Sequence, residues 1–317
     1  MFVICIITLK NTFVKHFLKF FLSLWLLYYK LGDIFGTQTA AFGILLGKKG
    51  IAKKLIDKLC RIGHNGNIEA ITIFLIYKSK GNFMKKYSIC GLNVLMDAGA
   101  ITARHAEKYL TDTDFENADI TVCVSQDEIS RYSARNRTPD EISAYMVEGG
   151  SFYRQLLNFD GVFLHASAVV YDGRAYLFSA PCGTGKSTHT SLWLELLGDK
   201  AYILNDDKPA IRVLENGIFA YGTPFSGKHD ISSPTEVELG GICFISRGEV
   251  DKISPMNKLD AVFKMYHASL RRIDEAQLDK ELAILQKIVK DIPIYYMECT
   301  PTLNAAKTAV EVMTKGE

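Results

Sequence analysis

Three short stretches hold residue types that do chemistry together. The first is Ala180-Pro181-Cys182-Gly183-Thr184-Gly185-Lys186-Ser187, followed by Thr188. It spells the phosphate-binding loop pattern, with alanine where that pattern opens on glycine. Gly183 and Gly185 open backbone conformations that bring amide groups close to an anion. A helix starting there aims its unpaired N–H groups at the same point. Lys186 would reach the β- and γ-phosphates of a nucleotide, and the Ser187 hydroxyl would ligate Mg²⁺. Cys182 reads as a small side chain tolerated in the turn. The second stretch is Asn205-Asp206-Asp207-Lys208. Its carboxylates are of the kind that hold Mg²⁺ or take a proton from an attacking hydroxyl, a polar turn being the plain alternative. The third is Gly227-Lys228-His229, in which Lys228 either contacts a transferred phosphoryl group or the acceptor, or lies solvated in a loop.

The elements needed to position these residues are legible around them. Ala175–Ser179 reads as an apolar strand leading into the loop, and a helix from about Ser187 to Leu197 follows, closed by Gly198. Upstream, Gly161–Val170 is β-rich, and Asp172-Gly173 is a hairpin signal that brings His165 back toward the loop. A lone histidine on an apolar strand is otherwise often just a hydrogen-bonded core residue. Ala201–Leu204 is a short strand ending at the carboxylates, as an α/β nucleotide site requires. Gly217–Tyr221, Gly241–Ser246 and Ile292–Cys299 read as strands, Asp279–Val289 and Thr302–Met313 as helices. Arg271-Arg272 is either a phosphate-reaching or a solvated basic pair.

The N-terminal part is of another kind. Residues 1–83 hold 12 Lys and Arg against 3 Asp and Glu, and the remaining residues 25 against 32, so a net charge of +2 conceals a basic segment joined to an acidic body. The acidic body gives no electrostatic case for nucleic acid. Within the basic segment, Phe13–Tyr29 is apolar and aromatic but interrupted by Lys15, His16 and Lys19. Its clean run, Phe20–Tyr29, is shorter than the ~20 residues that a spanning helix needs. The segment reads as a membrane anchor, as a poorly structured extension, or as lying outside a functional chain that begins at Met84. Residues 84–158 read as a small α+β accessory lobe: a strand over Tyr87–Met96, another over Ala118–Val124, and a helix over Asp127–Ala134. A further helix is expected with Thr138 as N-cap and Pro139 at its first position, broken near Gly149-Gly150 and reaching about Leu157. Residues 159–317 read as the nucleotide-binding domain. Seven cysteines scattered singly, with no CxxC pair, argue against a zinc site or disulfide framework and fit a reducing cytoplasm.

The order LHASAV, APCGTGKST, ILNDDKPAIR, YGTPFSGK resembles the HPr kinase/phosphorylase C-terminal domain and its relatives, over roughly residues 145–317. The resemblance implies an α/β fold, a P-loop kinase domain of the HPr kinase/phosphoenolpyruvate carboxykinase type. It also implies ATP and Mg²⁺ as cofactors and a hydroxyl acceptor, protein or small molecule. It implies that His165 orients Asp206 as acid/base, that Lys186 and Ser187 hold phosphate and metal, and that Asp207 supports the metal. The glycine-rich E-x-R-G-x-G segment of HPr kinases is missing, so the acceptor stays open. A nucleotide sensor without transfer, and phosphorolysis run in reverse, are the alternatives; a homo-oligomer is compatible with either.

Overall fold

The computed structural model describes residues 84–269 and 274–315. The expectations for residues 1–83 and for Arg271-Arg272 therefore lie outside the described residues. The chain enters through a hairpin, β1 (Lys85–Ile89) and β2 (Leu92–Met96), where one strand over Tyr87–Met96 is expected from sequence. Cys90 and Gly91 take positive φ, 56° and 70°, and turn the chain back on itself. The apolar run conceals this turn because Cys90 is itself buried. β3 (Ile120–Val122) adds in parallel to β2, and α1 (Ala100–His105) lies between them in sequence.

Two helices come next. α2 (Gln126–Asn136) starts on a full capping box, Ser125 with Glu128. α3 (Asp140–Leu156) runs unbroken through Gly149-Gly150, and its N-cap position is Pro139 rather than Thr138. The Thr138 hydroxyl bonds the Ser143 hydroxyl at 2.8 Å instead of capping the helix. Gly149 does not break α3 because it is a packing position: a Cβ there would sit 2.9 Å from the Phe225 ring. Phe152, Tyr153 and Leu156 on the same helix are buried in one core with Tyr87, Ile89, Val94 and Ile120 of the small sheet, and with Ala210, Tyr221 and Phe225 further along the chain. Residues 84–158 thus share a core with the C-terminal part of the chain.

The larger sheet has nine strands. Its path runs β4 (Gly161–Phe163), β8 (Ala210–Leu214), β9 (Gly217–Tyr221), β10 (Glu236–Arg247), β6 (Arg174–Ser179), β5 (Ala166–Tyr171), β7 (Ala201–Asp207). β12 (Ile294–Cys299) pairs in parallel with the C-terminal half of β10, and β11 (Lys252–Pro255) pairs with β12. β9 and β12 share one edge of β10, since that strand is long enough for Glu236–Glu238 to bond the first and Ile242–Arg247 the second.

Strand alternation sorts the central side chains into two cores. Leu177, Ile242 and Phe244 point to the face covered by α5 (Lys258–His267) and α6 (Glu275–Asp291). Phe178, Cys243 and Ile245 point to the face covered by α4 (Lys186–Leu197) and α7 (Leu303–Met313). Central strands covered on both faces read as continuous apolar runs, and GICFIS in β10 is one. The result is a mixed α/β architecture whose described residues belong to one compact unit. No helix among them is long and apolar enough to cross a membrane.

Candidate functional site

The hairpin of β5 and β6 turns at Asp172-Gly173, with φ of 50° and 73°, and its register pairs Ala166 with Ser179. On the other side of β5, Ala166 pairs with Asp207 and Ser167 with Asp206. Ser179, the last residue before the glycine loop, is therefore two strand spacings, roughly 10 Å, from the carboxylates. His165 immediately precedes β5 and sits beside the same row. Three pieces separated in sequence converge because β5 lies between β6 and β7, running antiparallel to both.

The loop after β6 has the geometry its glycines permit. Gly183 and Gly185 take φ of 78° and 120°, and a Cβ added at Gly183 would meet nothing within 4 Å. Open space over a curl of backbone N–H groups, at the start of α4, fits a phosphate chain. Lys186 is buried, and its ammonium donates to the carbonyl of Ala180 at 2.9 Å, so it lies across the loop. Burial lowers its pKa, against the nearby carboxylates Asp207 and Asp206 that oppose the shift. Cys182 and Thr188 are exposed, and Thr184 is half-buried. Arg247, at the end of β10, reaches over and donates to the carbonyls of Gly183 (2.6 Å) and Thr184 (3.4 Å). Sequence reasoning missed this arginine; it closes a strand expected to end at Ser246.

The two carboxylates face different partners. The Ser187 hydroxyl donates to both oxygens of Asp206, at 2.9 and 3.1 Å. Asp207 instead faces His165, whose Nε2 is 3.2 Å from its Oδ1, and the Lys208 ammonium bonds its other oxygen. The resemblance assigns His165 to Asp206; in the structure the carboxylate beside His165 is that of Asp207, and Asp206 faces Ser187. The cause is the strand pleat, which points consecutive side chains of β7 to opposite faces. Both residues also lie within β7 itself, beyond the strand end expected at Leu204. Burial alone would raise the Asp207 carboxyl, but the His165 hydrogen bond and the Lys208 charge outweigh it and lower its pKa to about 2. Asp207 also takes φ of 103°, a left-handed conformation that costs a non-glycine residue on the order of 1–3 kcal/mol.

A buried polar network holds this strained residue. The Asn205 amide donates to the Thr223 carbonyl (2.9 Å) and its oxygen accepts from the Lys208 N–H (3.0 Å). The hydroxyls of Tyr153 and Thr223 both donate to the Lys208 carbonyl, at 2.7 and 3.0 Å. Gly227 packs on Asp207 so closely that a Cβ there would lie 3.0 Å from the aspartate Cβ, and its N–H donates to the Tyr145 hydroxyl at 3.0 Å. His105 Nδ1 lies 3.1 Å from the carbonyl of Pro224. The 222–230 segment therefore buttresses Asp207 through its backbone. Lys228 itself is exposed and has no hydrogen-bond or ion-pair partner among the described residues. Thr223, Tyr145 and Tyr153 are not legible as site residues in the sequence, because their part is to bond backbone far away along the chain; for Asn205 the same holds of its bond to the Thr223 carbonyl.

Among the described residues no group of three or more His, Cys, Asp or Glu is arranged to hold a metal alone. One hydroxyl and one carboxylate side by side, Ser187 and Asp206, fit Mg²⁺, which keeps waters and nucleotide oxygens as its other ligands.

No protein-family model and no curated protein sequence matches the chain. Among solved structures, one titled as the Hpr(Ser) kinase/phosphatase from Coxiella burnetii aligns over 48% of this chain and 88% of that one, at 13% identity and a TM-score of 0.29. A likeness of that size assigns no role to any residue here.

Proposed function

We propose that the chain is an ATP-dependent phosphotransferase that moves the γ-phosphoryl group to a hydroxyl acceptor, in the manner of the HPr kinases its motifs resemble. The observation that carries this is the division of labour at the end of β7. One carboxylate is bonded to the hydroxyl of the phosphate loop, and the next residue is bonded to a histidine on the neighbouring strand. A protein that only sensed nucleotide would need the first and have no use for the second.

In this reading the amides of residues 183 and 185–187 and the Lys186 ammonium hold the phosphate chain, with Thr188 at the first helical turn. Lys186 leaves the Ala180 carbonyl to do so. Ser187 and Asp206 would hold the divalent cation or its waters. The cation would neutralise charge between the β- and γ-phosphates. The acceptor hydroxyl approaches from the His165 side, and its proton passes to the Asp207 carboxylate. Its oxygen bonds the γ-phosphorus while the bond from that phosphorus to the β,γ-bridging oxygen breaks, and ADP leaves. A carboxylate with a pKa of about 2 is a weak base, so it takes the proton late, once the bond to phosphorus has acidified the hydroxyl. His165 holds Asp207 ionised and oriented, and Lys208 faces the same carboxylate. Catalysis is then mostly placement and charge, as phosphoryl transfer requires.

The test is γ-labelled ATP incubated with the full chain and a pool of metabolites and proteins from cell extract. Label transferred to an acceptor, and lost in Asp207→Asn, is the expected result. Tight ATP binding with no labelled acceptor from any pool would favour the nucleotide sensor instead.

A further inference from the structure

A cleft of about 830 Å³ runs from His165, Ser179 and Ala180, beside the start of the phosphate loop, to Lys264 on α5. That volume is typical of small-molecule sites. We infer that this cleft seats the acceptor, and that the acceptor is a small hydroxyl compound with an apolar or aromatic body and an anionic group at the end away from the hydroxyl. The inference rests on the phosphotransfer reading and adds to it the substrate class.

The position of the hydroxyl is set by the reacting groups. The cleft's inner end is lined by His165, which is bonded to Asp207, so a hydroxyl seated there lies one side chain away from the proton acceptor. A second, smaller cleft of about 460 Å³ lies along Cys182–Thr184 and Arg247 and does not include His165, so it cannot present a hydroxyl to that pair. The body of the acceptor is set by the floor. Phe244 of β10 and Tyr296 of β12 lie side by side in register, and Met256 and Phe263 also line the cleft. The Tyr296 hydroxyl is already bonded to Ser246 at 2.8 Å, which leaves the Phe244–Tyr296 floor largely apolar, while Asn257, Asp260 and His267 also line the cleft. A peptide would lay backbone N–H and C=O groups over the Phe244–Tyr296 floor, where the two rings offer them few partners.

The anionic end is set by Lys264. Its ammonium stands 5.8 Å from the Phe244 ring centroid and 5.4 Å from that of Tyr296. No carboxylate among the described residues lies within ion-pair distance of it. Asp260, one turn earlier on α5, is engaged by Asn257 through both its N–H and its side chain. A cation over two ring faces and outside ion-pair reach of the Asp260 carboxylate, which also lines the cleft, attracts an anion.

The experiment uses the full chain and a set of benzylic and phenethyl alcohols bearing a ring carboxylate, each paired with its neutral amide. Binding is read by saturation-transfer NMR and transfer by phosphorus NMR with ATP. The expected result is that carboxylates bind about tenfold more tightly than amides. Lys264→Gln should remove that preference while leaving ATP affinity and the thermal midpoint unchanged. Equal affinity for acid and amide, or no binding by any compound, overturns the inference. Labelling of a serine peptide that Lys264→Gln does not slow and the acids do not compete with also overturns it, but leaves the phosphotransfer reading standing. Lys264-dependent binding with no transfer does the reverse: it supports the anionic-ligand cleft and counts against phosphotransfer.

Discussion

Replacing Asp207 by Asn removes one negative charge and almost no volume, and asparagine tolerates the left-handed backbone that this position takes (φ 103°). The substitution therefore isolates the chemistry of the carboxylate. Three things are lost: the proposed proton acceptor, the charge opposite His165 Nε2 at 3.2 Å, and the counter-charge of Lys208. Loss of a positioned general base lowers the rate about 10²–10⁴-fold, equivalent to roughly 3–5 kcal/mol of barrier. The structural cost is smaller. The pair is partly open to water, with 35% and 26% of the two side chains exposed, so stability should fall by only about 1–2 kcal/mol. That corresponds to a thermal midpoint about 3–6 °C lower for a unit of this size. ATP affinity should be unchanged, because Lys186, Ser187 and Asp206 keep their contacts. Asp206→Asn should do the opposite and weaken Mg–ATP binding first. Calorimetry with Mg–ATP, together with initial rates of labelled transfer, separates the two variants. Normal transfer by Asp207→Asn, with transfer abolished and binding intact in Asp206→Asn, would refute the assignment drawn from the His165–Asp207 pairing.

Other parts of the structure make equally specific demands. His189, on the first turn of α4, is buried with both ring nitrogens unbonded, and burial lowers its pKa to about 4. The unfolded chain takes up that proton near pH 6.5, so its contribution is full above pH 6.5 and is lost as pH falls toward 4. The loss amounts to about 3 kcal/mol. Urea unfolding at several pH values should show this slope, and His189→Phe should flatten it; an unchanged slope would contradict it. A Cβ at Gly222 would sit 1.8 Å from the Ser233 carbonyl oxygen, so Gly222→Ala should destabilise by more than about 3 kcal/mol or fail to fold, a normal midpoint being the contrary result. Arg247→Ala frees the carbonyls of Gly183 and Thr184 and should weaken ATP binding several-fold with little change in thermal midpoint, which calorimetry and a melt check together.

The parts of this architecture that local rules govern are legible in the sequence. Glycines at 183 and 185 announce the loop, Asp172-Gly173 announces the hairpin, and the apolar runs of β6 and β10 announce strands covered on both faces. Where tertiary packing overrides a local rule, the residues mislead. Gly149-Gly150 looks like a helix break, yet α3 passes through it because Phe225 fills the space beside Gly149. YSICGLNVLM looks like one strand because its turn residue, Cys90, is apolar and buried. Which aspartate faces the histidine depends on the phase of the pleat in β7, and the sequence carries no mark of where that strand stops. The network of Asn205, Thr223 and Tyr153 is invisible for a related reason: each bonds main-chain groups brought near only by the fold.

The central claim is that one nucleotide, with its metal, bridges the glycine loop and β7. Titration of ATP into the full chain with and without Mg²⁺, repeated with Lys186→Ala and Asp206→Asn, tests it most directly. The account predicts binding that Mg²⁺ strengthens, that Lys186→Ala weakens at least tenfold, and that no longer responds to Mg²⁺ in Asp206→Asn. ATP binding indifferent to both substitutions, or no binding at all, would contradict it.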